Sequence, residues 1–142
     1  QAGSGGFAGA LVGHGGYGFK GNVINQNISL TSATDINILG SNGSQAGAMV
    51  GHANATGDAS LSGDISLNAQ NDINIASGTA PGSFAQAGHG GSRGKGTMGG
   101  DIELNAGNDV TITARNTADG AYAKVGHGDD LRGSLAAIGA SL

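Results

Sequence analysis

Cysteine is absent from the 142 residues of the chain, which contain a single proline, Pro81. Disulfides and thiolate metal sites are therefore excluded. Only 11% of the residues are charged and 4% are aromatic, and the net charge of −4 argues against nucleic acid as a partner, because phosphate binding needs a basic surface. The chain has no apolar run of about 18 residues and no signal peptide, so we expect no membrane span. It begins with QAGSGG and lacks an initiator methionine, which we interpret as a mature product or an excised segment.

Glycine, by contrast, is abundant, with 30 residues. The glycines follow no strict three-residue period, which excludes a collagen helix. Isoleucine, leucine and valine recur at fixed spacing, and the net charge is small, which disfavours a disordered chain. Fixed spacing of this kind is typical of a repeat architecture.

Every histidine directly follows a glycine, and the gaps between successive histidines are 38, 37 and 38 residues: His14, His52, His89 and His127. Similar phrases surround them, namely GALVGHGG (9–16), GAMVGHAN (47–54), AQAGHGGS (85–92) and AYAKVGHG (121–128). We therefore treat residues 1–142 as a single segment of about four repeats, marked by the Gly-His pairs at 13–14, 51–52, 88–89 and 126–127.

Two strand-like columns accompany the Gly-His pairs. The first contains NISLTSA (27–33), DISLNAQ (64–70) and DIELNAG (101–107), and the second contains DINILGS (35–41), DINIASG (72–78) and DVTITAR (109–115). Apolar and polar residues alternate in both, which indicates β-strands with one buried face. Their first apolar residues are always eight apart and form the predicted core ladder: Ile28, Ile65 and Ile102 in the first column, and Ile36, Ile73 and Val110 in the second. The residues before each Gly-His pair alternate in the same way and predict a third strand.

A single repeat cannot bury its own apolar face, but stacked repeats can bury one another. We therefore predict an all-β solenoid in which each strand pairs in parallel with its equivalent in the next repeat, with about one three-stranded rung per repeat. A Gly-rich excursion of roughly ten residues is expected after each histidine. The alternative is that each repeat forms two rungs of about 19 residues. Because residues 134–142 are apolar and no polar cap is evident, we expect the segment to belong to a longer fibre or to polymerise end to end.

The histidines lie in phase with the inward-facing residues of the third strand. We interpret them as a structural ladder in which the rings pack on one another and their nitrogens bond to backbone groups. A metal stripe is the functional alternative, but Asp129 and Asp130 follow only His127, and no carboxylate has a fixed spacing from all four rings. Four copies in one role argue against catalysis, so we assign no catalytic residue, metal or cofactor. GGSRGKGT (90–97) resembles a Walker phosphate loop but has Gly96 where Ser or Thr is required.

Other side chains also recur from repeat to repeat. Asn68 and Asn105 align with Thr31, which predicts an amide ladder. Three aspartates are expected to cap turn amides, with calcium binding as the alternative: Asp35, Asp72 and Asp109. An outward column is a candidate contact surface unless loops cover it: Phe7, Gln45, Phe84 and Tyr122.

The phrases GDISLNAQNDINIA (63–76) and GDIELNAGNDVTITA (100–114), together with the Gly-His phrases, resemble repeats of the filamentous-haemagglutinin-like exoproteins of Gram-negative bacteria. That family includes two-partner secretion proteins and giant adhesins. The resemblance is one of repeat style and spans nearly the whole chain. It implies a right-handed parallel β-helix that is exported to the cell surface and acts as a stalk, adhesin or filament. The family's secretion domain is not seen in this sequence.

We therefore expect a structural or adhesive segment of an extracellular fibre, without enzymatic activity. Its expected partners are copies of itself, flanking repeats of the same chain, or surface glycans. A carbohydrate-active β-helix enzyme is one alternative, although the unrepeated charged residues are scattered: Arg93, Lys95, Arg115, Asp129, Asp130 and Arg132. An ice-binding solenoid is another, although TIT at 111–113 is not echoed in the other repeats.

Overall fold

The computed structural model describes residues 1–6, 8–16, 19–54, 58–91, 96–115 and 120–128. All regular elements in these ranges are β-strands, as the alternating columns predicted. They are β1 (Gly9–Val12), β2 (Gly15–Gly16), β3 (Ile28–Ser32), β4 (Ile36–Leu39), β5 (Gly47–Val50), β6 (Ala53–Asn54), β7 (Leu61–Ser62), β8 (Ile65–Ala69), β9 (Ile73–Ala76), β10 (Phe84–Ala87), β11 (Met98–Gly99), β12 (Ile102–Ala106), β13 (Val110–Thr113) and β14 (Tyr122–Val125). Within the same ranges, no helix is long and apolar enough to cross a bilayer.

Every sheet is parallel and is built from equivalent strands of successive repeats. We number the repeats so that repeat 1 contains β1–β4, repeat 2 β5–β9, repeat 3 β10–β13 and repeat 4 β14. The strand orders are β1-β5-β10-β14, β12-β8-β3 and β13-β9-β4, with two short sheets, β2-β6 and β11-β7. Ile28 pairs with Ile65 and Ile65 with Ile102, so each paired strand lies one whole repeat from its partner. Pairing at this separation rules out two rungs per repeat for these strands.

The apolar faces of the three main sheets meet in one core, which contains most of the predicted ladder. Ile65 and Ile73 in repeat 2 are 1% and 0% exposed, because repeats 1 and 3 cover them on both sides. Val110 does not follow the prediction, since it is 45% exposed. Its strand, β13, is the outermost of its sheet and pairs only with β9, so no strand of the described chain pairs with its other edge.

The described parts of the stretches that follow the first three histidines contain strand pairing that the predicted excursion did not include. Parts of these stretches pair between repeats as β2 with β6 and β7 with β11. They also have a small core of their own, in which Val23, Ala59 and Leu61 are buried and Met98 packs against them. A repeat therefore contributes up to five strands, and the prediction of three was too low.

The glycine before each of the first three histidines is required by close packing between repeats. Gly51 has φ +153°, and a Cβ there would collide with the carbonyl oxygen of Gly88. Gly88 stands in the same relation to Gly126. L-residues avoid this backbone region, so both the backbone angle and the space restrict these positions to glycine.

Candidate functional site

The four histidines lie in one column at the end of the third strand, where the chain leaves β1, β5, β10 and β14. The rings of His52 and His89 are stacked, with centroids 4.7 Å apart and an interplanar angle of 8°, and those of His89 and His127 are 4.8 Å apart at 8°. His14 is tilted by 48° against His52 at 5.1 Å. His52 and His89 are both 0% exposed, so the column is buried at its centre.

Hydrogen bonds fix the orientation and the protonation of the central rings. The backbone N–H of His52 donates to Nδ1 of His89 at 2.9 Å, and the N–H of His14 donates to Nδ1 of His52 at 3.2 Å. Because Nδ1 accepts, the proton of the neutral ring lies on Nε2. Nε2 of His52 then donates to the carbonyl of Gln26 at 2.6 Å, and Nε2 of His89 to that of Gly63 at 2.8 Å.

Burial holds the central imidazoles in their neutral form. It lowers the pKa of His89 from 6.5 to about 4, although the bond to the Gly63 carbonyl partly opposes the shift. The neighbouring rings of His127 and His52 lower the pKa further. Burial also lowers the pKa of His52. Since Nδ1 accepts and Nε2 donates, neither ring has a lone pair left over for a metal ion. Asp129 and Asp130 lie outside the described residues.

The aspartates use their carboxylates to bond one repeat to the next. Oδ1 of Asp35 accepts from the backbone N–H of Asp72 at 3.3 Å, and Oδ1 of Asp72 from that of Asp109 at 3.1 Å. Asp64 bonds in the same way to the N–H of Asp101 at 3.0 Å. The carboxylates thus cap amides of the neighbouring repeat, which offsets the repulsion between stacked charges.

Amide side chains form two further ladders. Nδ2 of Asn105 donates to Oδ1 of Asn68 at 2.9 Å, on the outer face of β12 and β8. On β9 and β4, Nδ2 of Asn74 donates to Oδ1 of Asn37 at 3.1 Å. Thr111 continues the second column in β13, so this face carries amides in place of the threonine array that ice binding needs.

A buried glutamine near the histidine column was not anticipated from the sequence. Gln86 is 0% exposed although it alternates with the inward-facing Ala85 and Ala87. Its Nε2 donates to the carbonyl of Gly126 at 2.9 Å and lies 3.2 Å from that of His89. The backbone of the Gly-His pairs of repeats 3 and 4 therefore covers Gln86 on the second face of this sheet. The sequence did contain a sign of this burial at Met49, which pairs with Gln86. An apolar residue at a position expected to face outward indicates that other parts of the chain cover that position.

The predicted aromatic column is wrong in its alignment. Phe84 pairs with Tyr122 on one side and with Gly47 on the other, so Gln45 does not belong to it. The rings of Phe84 and Tyr122 stack with centroids 5.3 Å apart, and Tyr122 is only 5% exposed. Tyr122 is therefore unavailable as a contact surface, and Phe84 is half-buried. Phe7 lies outside the described residues.

A groove of about 300 Å³ lies at the ends of β3, β8 and β12 and crosses three repeats. Thr31, Asn68 and Asn105 line one side, and Ala69 and Ala106 are among its other lining residues. Of the charged residues weighed for an enzyme, Arg115 alone is described, and it is exposed. Residues 92–95 of the phosphate-loop-like stretch also lie outside the described ranges.

Comparison with known proteins identifies no relative: no family model, no curated protein and no solved structure matches the chain.

Proposed function

We propose that the chain is a segment of a right-handed parallel β-helix fibre, exported to the bacterial cell surface, where it acts as a stalk or adhesive filament through its length and rigidity. In-register pairing of equivalent residues is the observation that carries this proposal, as in Ile36 with Ile73 and Ile73 with Val110. Nearly all connections between parallel strands of one sheet are right-handed, which supports that hand for the winding. Each added repeat lengthens such a fibre by about 4.8 Å.

The surfaces at the two ends of the stack support a fibre that continues beyond these repeats. The exposed large hydrophobic residues that the structure describes all lie in outermost positions: Leu11, Val12 and Ile24 in repeat 1, and Val110 and Ile112 in β13. The repeat 2 equivalents of Leu11, Val12, Val110 and Ile112 are buried, with Val50 at 4% and Ile75 at 0% exposure. Another repeat of the same kind would cover both end surfaces with the contacts already made inside the stack.

The bonds between repeats supply the rigidity. The histidine, aspartate and asparagine columns each add a side-chain hydrogen bond across the same interface that the backbone ladders hold. A chain built in this way resists bending because hydrogen bonds hold every interface between repeats at several points around its cross-section. The extracellular location is supported by the resemblance of the repeats to filamentous-haemagglutinin-like exoproteins.

Charge placed on an end surface should prevent end-to-end association without unfolding the chain. We expect the purified protein to form unbranched filaments in electron micrographs as its concentration rises, and Ile112→Lys to remain dispersed, because a buried unpaired ammonium is costly. Ile112 is 49% exposed, so the variant should keep the circular dichroism of the wild type.

Thr111→Lys is the matched control, since Thr111 is the adjacent exposed residue on the opposite face of β13. It should assemble like the wild type. A wild-type protein that stays monomeric at high concentration, or Ile112→Lys filaments identical to those of the wild type, would contradict end-to-end stacking.

A further inference from the structure

The three main sheets do not contain the same number of strands in the described chain. The sheet β1-β5-β10-β14 extends from repeat 1 to repeat 4, whereas the sheets that end in β12 and in β13 stop at repeat 3. At the other end of the stack, β1, β3 and β4 all belong to repeat 1. One end is therefore stepped by a single strand and the other end is level.

This step restricts how a second copy of the chain can stack on the first. Inside the stack, each strand pairs with its equivalent in the next repeat. If β3 and β4 of the second copy pair in this way with β12 and β13 of the first, the second copy is shifted by three repeats. Its β1 then falls in the place that β14 of the first copy already occupies.

A shift by four repeats avoids the overlap but leaves a gap. β1 of the second copy would then pair with β14, and a missing strand in each of the other two sheets would separate the copies there by an extra 4.8 Å or so. Val110 and Ile112, the exposed apolar residues of β13, would remain uncovered. The backbone edges of β12 and β13 would also lack partners.

β14 matches β1 at the residues that face the core. Through the in-register pairing of the four strands, Ala123 is equivalent to Ala10 and Val125 to Val12. A Gly-His pair follows both strands. β14 of one copy can therefore pair with β5 of the next copy in the position that β1 fills within one copy.

β1 is also the more weakly held of the two strands that compete for this position. Val12 of β1 is exposed, whereas Tyr122 of β14 is buried and its ring stacks on that of Phe84. Removal of β14 would take the carbonyl of Gly126 away from Nε2 of Gln86, which is fully buried. Loss of a partner for a buried amide is costly, so β1 is the strand that leaves.

We infer that two copies of the chain join by strand exchange, in which β14 of one copy displaces β1 from β5 of the next. The pairing that β5 loses with β1 it regains with β14, so the pairing of β12 with β3 and of β13 with β4 is the net gain. The histidine column continues through the junction, because the backbone N–H of His127 takes over the bond that His14 makes to Nδ1 of His52. Such a head-to-tail contact repeats without closing and generates a filament. This inference rests on the proposed function, since it specifies how copies of the fibre segment join.

A disulfide that locks β1 onto β5 tests the exchange. Leu11 and Met49 are paired neighbours in these strands, within the separation that a disulfide can span. The chain has no cysteine of its own. The oxidised Leu11→Cys/Met49→Cys variant should form no filaments in electron micrographs, and dithiothreitol should restore them. Ser66→Cys/Glu103→Cys is the matched control, because it locks the paired strands β8 and β12 and leaves β1 free to leave. It should assemble when oxidised.

Mixtures of single-cysteine variants measure the register of the junction directly. Val125→Cys copies mixed with Val50→Cys copies should give mixed disulfide-linked dimers on oxidation, because strand exchange brings β14 of one copy beside β5 of the next. Val125→Cys mixed with Val12→Cys is the comparison, because these residues would be neighbours only after a shift by four repeats. It should give no such dimers above the level of an unassembled mixture.

Filaments from the oxidised Leu11→Cys/Met49→Cys variant, or dimers linked through Val12→Cys instead of Val50→Cys, would overturn strand exchange and leave the fibre standing. If the reduced double variant does not assemble, the mixtures alone decide between the two registers. A wild-type chain that never assembles would refute the fibre, and strand exchange with it.

Discussion

Mild acid should destabilise this fold, because the centre of the histidine column is buried in its neutral form. Protonation of Nδ1 of His89 would place an N–H against the backbone N–H of His52, which now donates to that nitrogen. It would also put a cation between the stacked rings of His52 and His127, 4.7 and 4.8 Å away. The folded state therefore resists a proton that the unfolded chain accepts freely.

The size of the effect follows from the lowered pKa of His89. The unfolded ring takes up its proton around pH 6.5 and the folded ring only at about pH 4. The contribution of His89 to the free energy of unfolding is therefore fully present above pH 6.5. It falls by about 1.4 kcal/mol per pH unit as the pH drops from there towards 4. Between pH 7 and pH 5, His89 alone should lower the free energy of unfolding by about 2 kcal/mol. The lowered pKa of His52 acts in the same direction.

Urea unfolding followed by circular dichroism at pH 7, 6 and 5 measures this slope. His89→Asn retains an acceptor for the His52 N–H but cannot titrate, so it should be less stable at pH 7 and show a much flatter pH dependence. Asn74→Ala is the matched control, since it removes a side-chain bond between repeats but no titratable group, and it should keep the wild-type slope. Equal slopes in the wild type and His89→Asn, or greater stability at pH 5 than at pH 7, would refute the reasoning.

Two further predictions concern packing, and urea unfolding measures both. Ile75→Ala should cost about 2–5 kcal/mol because it leaves a cavity at a fully buried position, whereas Ile112→Ala, at the equivalent half-exposed position, should cost less than about 1 kcal/mol. Equal losses of unfolding free energy in Ile75→Ala and Ile112→Ala would show that the side chains of repeat 3 are as well covered as those of repeat 2. Gly88→Ala should cost at least about 1–3 kcal/mol from its φ of +147° and its collision with the carbonyl of Gly126, while Gly99→Ala, with open space around it, should change stability by less than about 0.5 kcal/mol. A Gly88→Ala protein as stable as Gly99→Ala would remove the close-packing explanation for these glycines.

The pairing of the strands could be predicted from the sequence because two independent signals agreed. Alternation identified the buried face of each strand, and the constant eight-residue interval between Ile28 and Ile36, repeated at Ile65 and Ile73, left no freedom in the register. A one-residue slip would have turned every apolar residue outward.

The aromatic column was misaligned because a slip of two residues keeps a side chain on the same face. Alternation cannot detect such a slip. Phe84 and Tyr122 both lie five positions before a histidine, and the residue at that position in repeat 2 is Gly47. Counting residues back from the histidine therefore gives the correct register for the aromatic residues, whereas the alternation of inward and outward residues does not.

Exposure was harder to predict than register. Val110 and Ile73 occupy equivalent positions, yet one is 45% and the other 0% exposed, because cover depends on the number of neighbouring repeats. Gln86 is bonded to backbone carbonyls of the Gly-His pairs in its own and the next repeat, and no periodic pattern within its own strand reports that contact. The groove depends likewise on where three strands end together, which a single strand's sequence does not specify.

Within each of the histidine and aspartate columns, the side-chain bonds between repeats all run in one direction. In the histidine column the backbone of the earlier repeat donates to the ring of the later one, while in the aspartate column the later repeat donates to the carboxylate of the earlier one. Turning one stack upside down would bring donor to donor and acceptor to acceptor. A filament assembled through these contacts is consequently polar, with two chemically different tips, and its subunits can join head to tail only.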